Sequence, residues 1–137
     1  MRLGIVGSRT FPALIVERYV DQLAPDTVVI TGGWMAYKGY PCVEATPGVD
    51  RIAWRAAEKK GLVTVLCTGS STLMENKAGL QRNPTIVNLS EYIVAFWDLK
   101  SRGTMDTLRH CQAQQRSVLC INPEGSQVQD WARYVMP

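Results

Sequence analysis

Histidine is nearly missing from this chain: His110 is the only one in 137 residues, and the four cysteines, Cys42, Cys67, Cys111 and Cys120, form no C-x-x-C pair. Zinc sites need clustered Cys and His, and disulfide scaffolds need spaced cysteines in a secreted chain, so neither is expected and no metal is assigned. Cys67 and Cys120 close apolar runs, where a thiol behaves as a small hydrophobe. No apolar stretch reaches membrane length, and Met1-Arg2-Leu3-Gly4 leads straight into a strand pattern without a leader, so the expected location is the cytoplasm. Charge of one sign is not in large excess either. The net charge is +3, and the fifteen basic residues are scattered along the sequence without a run. On that ground a dedicated DNA-binding stripe is absent and nucleic acid is not an expected partner.

The familiar nucleotide signatures are missing too. Gly4-Ile5-Val6-Gly7-Ser8-Arg9 is not G-x-G-x-x-G, and the second strand run ends in Thr31 rather than in an acidic residue that would hold a ribose hydroxyl, so no dinucleotide cofactor is expected. No G-x-x-x-x-G-K-[ST] occurs, which removes the P-loop and ordinary phosphoryl transfer. No cofactor of any kind is assigned.

What is present is a globular composition, 46% hydrophobic and 20% charged, in a length suited to one domain over residues 1–137. Apolar runs at Arg2 to Gly7, Thr27 to Thr31, Val63 to Cys67, Tyr92 to Phe96 and Ser117 to Ile121 alternate with helical patterns. That alternation predicts an α/β fold: a parallel five-stranded sheet of order 3-2-1-4-5 with helices on both faces, three layers in all. Helices are predicted from about Pro12 to Leu23 with Thr10 as cap, from Val49 to the Lys59-Lys60-Gly61 stop, from Asn83 to Ser90 with Pro84 in its first turn, and from Gly103 to about Gln115. A last helix is predicted to start at Ser126, with Ser126 and Gln129 as a capping box.

Three glycine-bearing turns follow strands: Gly7-Ser8-Arg9, Gly32-Gly33 and Arg102-Gly103-Thr104. Glycine lets backbone N–H groups approach an anion, and a helix N-terminus beyond adds a favourable dipole. The crevice of such a sheet opens where the strand order reverses, above the first and fourth strands. Arg9, Arg82 and Arg102 are candidate phosphate contacts there, and Asp50 a ribose acceptor or general base. An insertion at 34–47, rich in aromatics, breaks the rhythm; it suits stacking on a base and a surface or subunit contact equally.

Four motifs in order resemble those of the SLOG superfamily, a Rossmann-like group that includes the LOG-type phosphoribohydrolases, the YspA-like proteins and the core of DNA-processing protein A. Gly7-Ser8-Arg9 resembles an opening G-S-R. Thr31-Gly32-Gly33 with Pro47-Gly48-Val49-Asp50-Arg51-Ile52-Ala53 resembles a split G-G-A-x-G-x-D-x-x-A element. Arg82-Asn83 resembles the R-N before the fourth strand, and Arg102-Gly103-Thr104-Met105-Asp106 the closing G-T turn. The resemblance implies a homo-oligomer that binds a nucleotide or derivative through Gly7, Ser8, Arg9, Gly32, Gly33, Asn83, Arg102, Gly103 and Thr104. It also implies N-glycosidic hydrolysis, with Arg82 and Arg102 holding the phosphate and Asp50, Asp106 or Glu44 assisting charge development and activating water, although Thr107 stands where a LOG enzyme carries glutamate. The other function class is a single-stranded nucleic-acid module like DNA-processing protein A, to which four tryptophans and five tyrosines would offer stacking surfaces.

Overall fold

The computed structural model describes residues 1–34, 44–68 and 75–135. In chain order the elements are β1 (Arg2–Gly7), α1 (Ala13–Asp21), β2 (Val28–Trp34), β3 (Glu44–Ala45), α2 (Val49–Lys60), β4 (Val63–Thr68), α3 (Glu75–Leu89), β5 (Tyr92–Phe96), α4 (Arg102–Ala113), β6 (Ser117–Ile121) and α5 (Ala132–Val135). The parallel strands lie in the order β4-β2-β1-β5-β6, which is the predicted 3-2-1-4-5 sheet. Of the insertion at 34–47, residues 35–43 lie outside the described part, Cys42 among them. Its return arm forms β3, pairing antiparallel with the end of β2 through Gly33 with Ala45 and Trp34 with Glu44.

Side-chain alternation along the buried strands feeds two apolar layers. Leu3, Ile5, Val29, Val94 and Phe96 point to one face and pack with Val16 and Val20 of α1 and Val49, Ala53 and Ala57 of α2. Val6, Ile30, Ile93, Ala95 and Trp97 meet Ile86 and Val87 of α3 and Leu108 and Cys111 of α4 on the other. The alanines of α2 keep that helix close to the strands, and Gly61 ends it in the left-handed region at φ +83°. Burial pushes the Cys111 thiol up to about 12 and the Cys120 thiol up to about 11, so both stay protonated core groups. Among the described residues, no helix is long and apolar enough to cross a membrane.

Three local expectations are corrected. Helix α1 begins after Pro12 with no side-chain cap, so Thr10 does not cap it. Helix α3 starts at Glu75, and Pro84 sits inside it rather than in its first turn; the tertiary packing of Ile86 and Val87 tolerates the missing donor that made proline read as a start signal. The capping box at Ser126 does not open a helix. Asn122 takes the Ser126 and Glu124 amides on its side chain, Gln127 bridges back to Ile121, and only Ala132–Val135 is helical. A turn at the end of β6 satisfies those amides more locally than a helix would.

Candidate functional site

Strand β1 pairs with β2 on one side and β5 on the other, so the loops after β1 and β5 leave in opposite directions and open a cleft above the carboxyl ends. The cleft has a volume of about 620 Å³. Arg9 and Thr10 line it from the β1–α1 loop, Thr46, Pro47 and Asp50 from the start of α2, Arg82, Asn83 and Ile86 from α3, and Asp98 with Ser101 to Thr104 and Thr107 from the β5–α4 corner.

The β5–α4 corner is fixed by Asp98. Its carboxylate accepts the amides of Lys100 and Ser101 at 2.9 and 2.8 Å, and its own N–H donates to Ser8 Oγ at 3.1 Å. Burial opposes ionisation of Asp98, but the donors from Ser101, Lys100 and Ser8 outweigh it and hold the carboxyl below its ordinary range. Between Asp98 and Lys100, Leu99 takes φ +66°, a left-handed conformation that a branched side chain rarely adopts. Strain of this kind is kept where the surroundings over-determine it, and here it aims the first turn of α4 into the cleft. Ser101 at the N-cap offers no side-chain bond to that turn, so the Arg102, Gly103 and Thr104 amides face the cleft without an intrahelical acceptor.

The opposite wall is built on Arg82. Its Nη1 donates to Gly33 O at 3.0 Å and to Thr46 Oγ1 at 2.6 Å, and Nη2 lies 3.6 Å from Asp50 Oδ2. Both partners of this ion pair are buried, with side chains 11% and 8% exposed. Burial pushes the Asp50 carboxyl up to about 7, against the pull of Arg82 and smaller contributions from Thr31, Gly32 and Arg9. Asp50 Oδ1 has no hydrogen-bond partner among the described residues. Because the folded protein holds a proton that the unfolded chain has released, Asp50 favours folding below about pH 4, and that contribution is lost as pH rises through about 7. The Asp50→Asn variant is expected to flatten the stability profile between those values, by at most about 4 kcal/mol. Urea melts at a series of pH values measure it; a wild-type profile with no fall across that window would show that Asp50 is already ionised.

Not every predicted site residue reaches the cleft. Gly7, Arg9, Asp50, Arg82, Asn83, Arg102, Gly103 and Thr104 line it, whereas Ser8 is buried beneath it as the acceptor for Asp98. Gly32 and Gly33 do not form a turn: they lie inside β2, paired to Cys67 and Thr68 of β4. A Cβ on Gly32 would fall 2.5 Å from Arg82 Cζ, so that glycine makes room for the guanidinium rather than for a ligand. Gly7 similarly makes room for Val49 of α2. Gly103 is different, because a Cβ there would meet nothing within 4 Å. Asp106 sits behind the wall, accepting from Asn83 Nδ2 at 3.0 Å, and lies 3.5 Å from His110 Nε2. Thr107 turns its hydroxyl back to Gly103 O at 3.2 Å. Trp97 is fully buried and donates to Ser101 O, so it is no stacking surface. The sequence reading missed Asp98 as the organiser of the corner; its signal was an aspartate three residues before a serine at a helix start, the Asx-turn pattern.

No family model and no curated protein matches this chain. Two solved structures share its fold. The X-ray structure of DNA processing protein A from Streptococcus pneumoniae superimposes with a TM-score of 0.67 at 21% identity, covering 98% of this chain and 54% of that one. DNA processing protein A from Helicobacter pylori, described for its single-stranded DNA binding mode, gives a TM-score of 0.61 at 19% identity, covering 88% and 65%. This chain therefore spans between half and two thirds of each neighbour. The expectation that nucleic acid is not a partner is overturned by the second neighbour, a single-stranded DNA binder on this fold. The physical flaw in that expectation was to judge charge along the sequence, where residues four apart on a helix look scattered yet share one face.

Proposed function

We propose that this chain is a SLOG-type domain that binds single-stranded DNA, seating a backbone phosphate at the first turn of α4 between Arg9 and Arg102. The observation that carries this reading is Gly103. It stands in an amide-bearing first turn that faces the cleft, and packing supplies no reason for a glycine there. Close approach of a phosphate to the turn's N–H groups does supply one, and the dipole of α4 adds to the attraction. The fold neighbour that binds single-stranded DNA supports the same reading.

Labelled oligodeoxythymidine, titrated by fluorescence anisotropy at several salt concentrations, tests it. The Arg102→Ala variant is expected to bind about 10-fold more weakly, the worth of one charge-assisted contact, and to lower the salt slope by about 0.7. Equal affinity and slope in the variant would remove Arg102, and with it the phosphate seat.

A second reading, hydrolysis of a nucleotide's N-glycosidic bond, has one observation in its favour: a cleft-lining carboxyl, Asp50, held near neutrality in its ionisation. Against it, Thr107 brings a hydroxyl where the LOG enzymes carry a carboxylate, and Asp106 lies behind the wall with Asn83 and His110 as partners. Chromatography of nucleoside monophosphates after incubation is expected to show no free base. Base release by the wild type that disappears in Asp50→Asn would raise this reading to first place.

A further inference from the structure

A second groove lies outside the cleft, between α1 and α2, with a volume of about 710 Å³. Pro47 lines both, so the two depressions meet at the turn that leads into α2. Along α2, Arg51, Arg55 and Lys59 recur every fourth residue and all line this groove, with Arg18 of α1 across from them. Four residues of helix advance about 6 Å, so the three cations form a row slightly inclined to the axis on one side of a helix about 18 Å long. Lys60 reaches across to the Asp21 carbonyl and ties the two helices together. Five cationic and two acidic side chains, Glu17 and Asp21, line the groove, an excess equal to the net charge of the entire chain. The rest of the chain therefore sums to no net charge, and the groove carries the chain's net positive excess. The apolar component is Leu14, which is 54% exposed, with Ile52 beneath.

We infer that the α1–α2 groove is a phosphate track that carries a single DNA strand onward from the cleft, past Pro47 and along Arg51, Arg55 and Lys59. This rests on the single-stranded DNA reading of the cleft and extends it. An extended strand presents phosphates at a regular spacing that a stripe of cations one helical turn apart follows, whereas the compact cleft holds only its first nucleotides. Long flexible cations on a helix face hold a backbone without reading bases, so the groove adds affinity that depends on strand length and not on sequence.

The test compares two oligodeoxythymidines, of about 4 and about 16 nucleotides. The Arg55→Glu/Lys59→Glu variant changes only exposed side chains and is expected to fold like the wild type, which circular dichroism checks. It is expected to bind the short strand within about 2-fold of wild type and the long strand at least 10-fold more weakly, with the long-strand salt slope reduced by about 1.4 for two lost contacts. Arg102→Ala, in the cleft, is expected to weaken both strands alike. If the charge-reversed variant keeps the full gain with strand length while Arg102→Ala still weakens both, the track is wrong and the cleft reading stands. If the wild type binds neither strand, both fall. A fall in solution mass in the charge-reversed variant would overturn the track in favour of a contact with a second copy of the chain.

Discussion

Arg82→Ala is expected to cost the fold about 3 to 5 kcal/mol at alkaline pH, because the buried Asp50 carboxylate loses its ion-pair partner. For a domain of this size that corresponds to a fall of about 10 °C or more in melting temperature. Two further bonds go with it, to Gly33 O and Thr46 Oγ1, which hold the β3 arm of the insertion against the mouth of α2. The loss carries a pH signature. Without the guanidinium the Asp50 carboxyl rises further above about 7, so it stays protonated over a wider range. The penalty is therefore smallest in acid, where Asp50 is neutral in the folded and unfolded chain alike, and largest at alkaline pH. The Arg82→Ala/Asp50→Asn pair is expected to recover a large part of the alkaline loss, since no charge is then stranded, and a double-mutant cycle reads the coupling directly. A penalty independent of pH, with no rescue, would mean that Arg82 acts only through its bonds to Gly33 and Thr46.

Gly103→Ala is expected to do the opposite: to stabilise the fold and weaken binding. A methyl group there meets nothing within 4 Å, and exchanging glycine for alanine in a helical turn is worth a few tenths to about 1 kcal/mol. Yet a methyl group in that turn would compete with a phosphate for close approach to its amides, so affinity for oligodeoxythymidine is expected to fall by at least 10-fold. Few substitutions at sites that serve only packing raise stability while lowering affinity, which makes the pair of measurements decisive. Unchanged affinity would place the phosphate away from α4. The contrast with Gly32 is instructive, because Gly32→Ala drives a Cβ into the Arg82 guanidinium and is expected to resemble Arg82→Ala in lost stability.

The architecture was legible because buried parallel strands are continuous apolar runs, and five of them alternating with helical patterns leave few alternatives to a doubly covered sheet. The corner at Arg102–Thr104 was legible for a related reason: strand, glycine turn and helix follow one another within a dozen residues, so local order places the turn at the sheet's carboxyl edge. Gly32-Gly33 carried the same letters and meant something else. Whether a glycine after an apolar run admits a ligand or a neighbouring side chain depends on what packs against it, and Arg82 arrives from 50 positions later. The start of α3 and the turn after Asn122 escaped the sequence for the same cause, since tertiary partners outweighed a proline signal in one case and a capping-box signal in the other.

The chain's own residues thus determined the sheet, its order and the edge at which the cleft opens, because those follow from periodicity and from the handedness of strand crossovers. Only the tertiary structure decided which charges meet. It buried Asp50 against Arg82 and raised its carboxyl, turned Asp106 away toward His110, and drew Arg18 alongside the Arg51, Arg55 and Lys59 stripe. Charge acts through distance in space and through the dielectric around it, and neither is written in the order of residues along a chain.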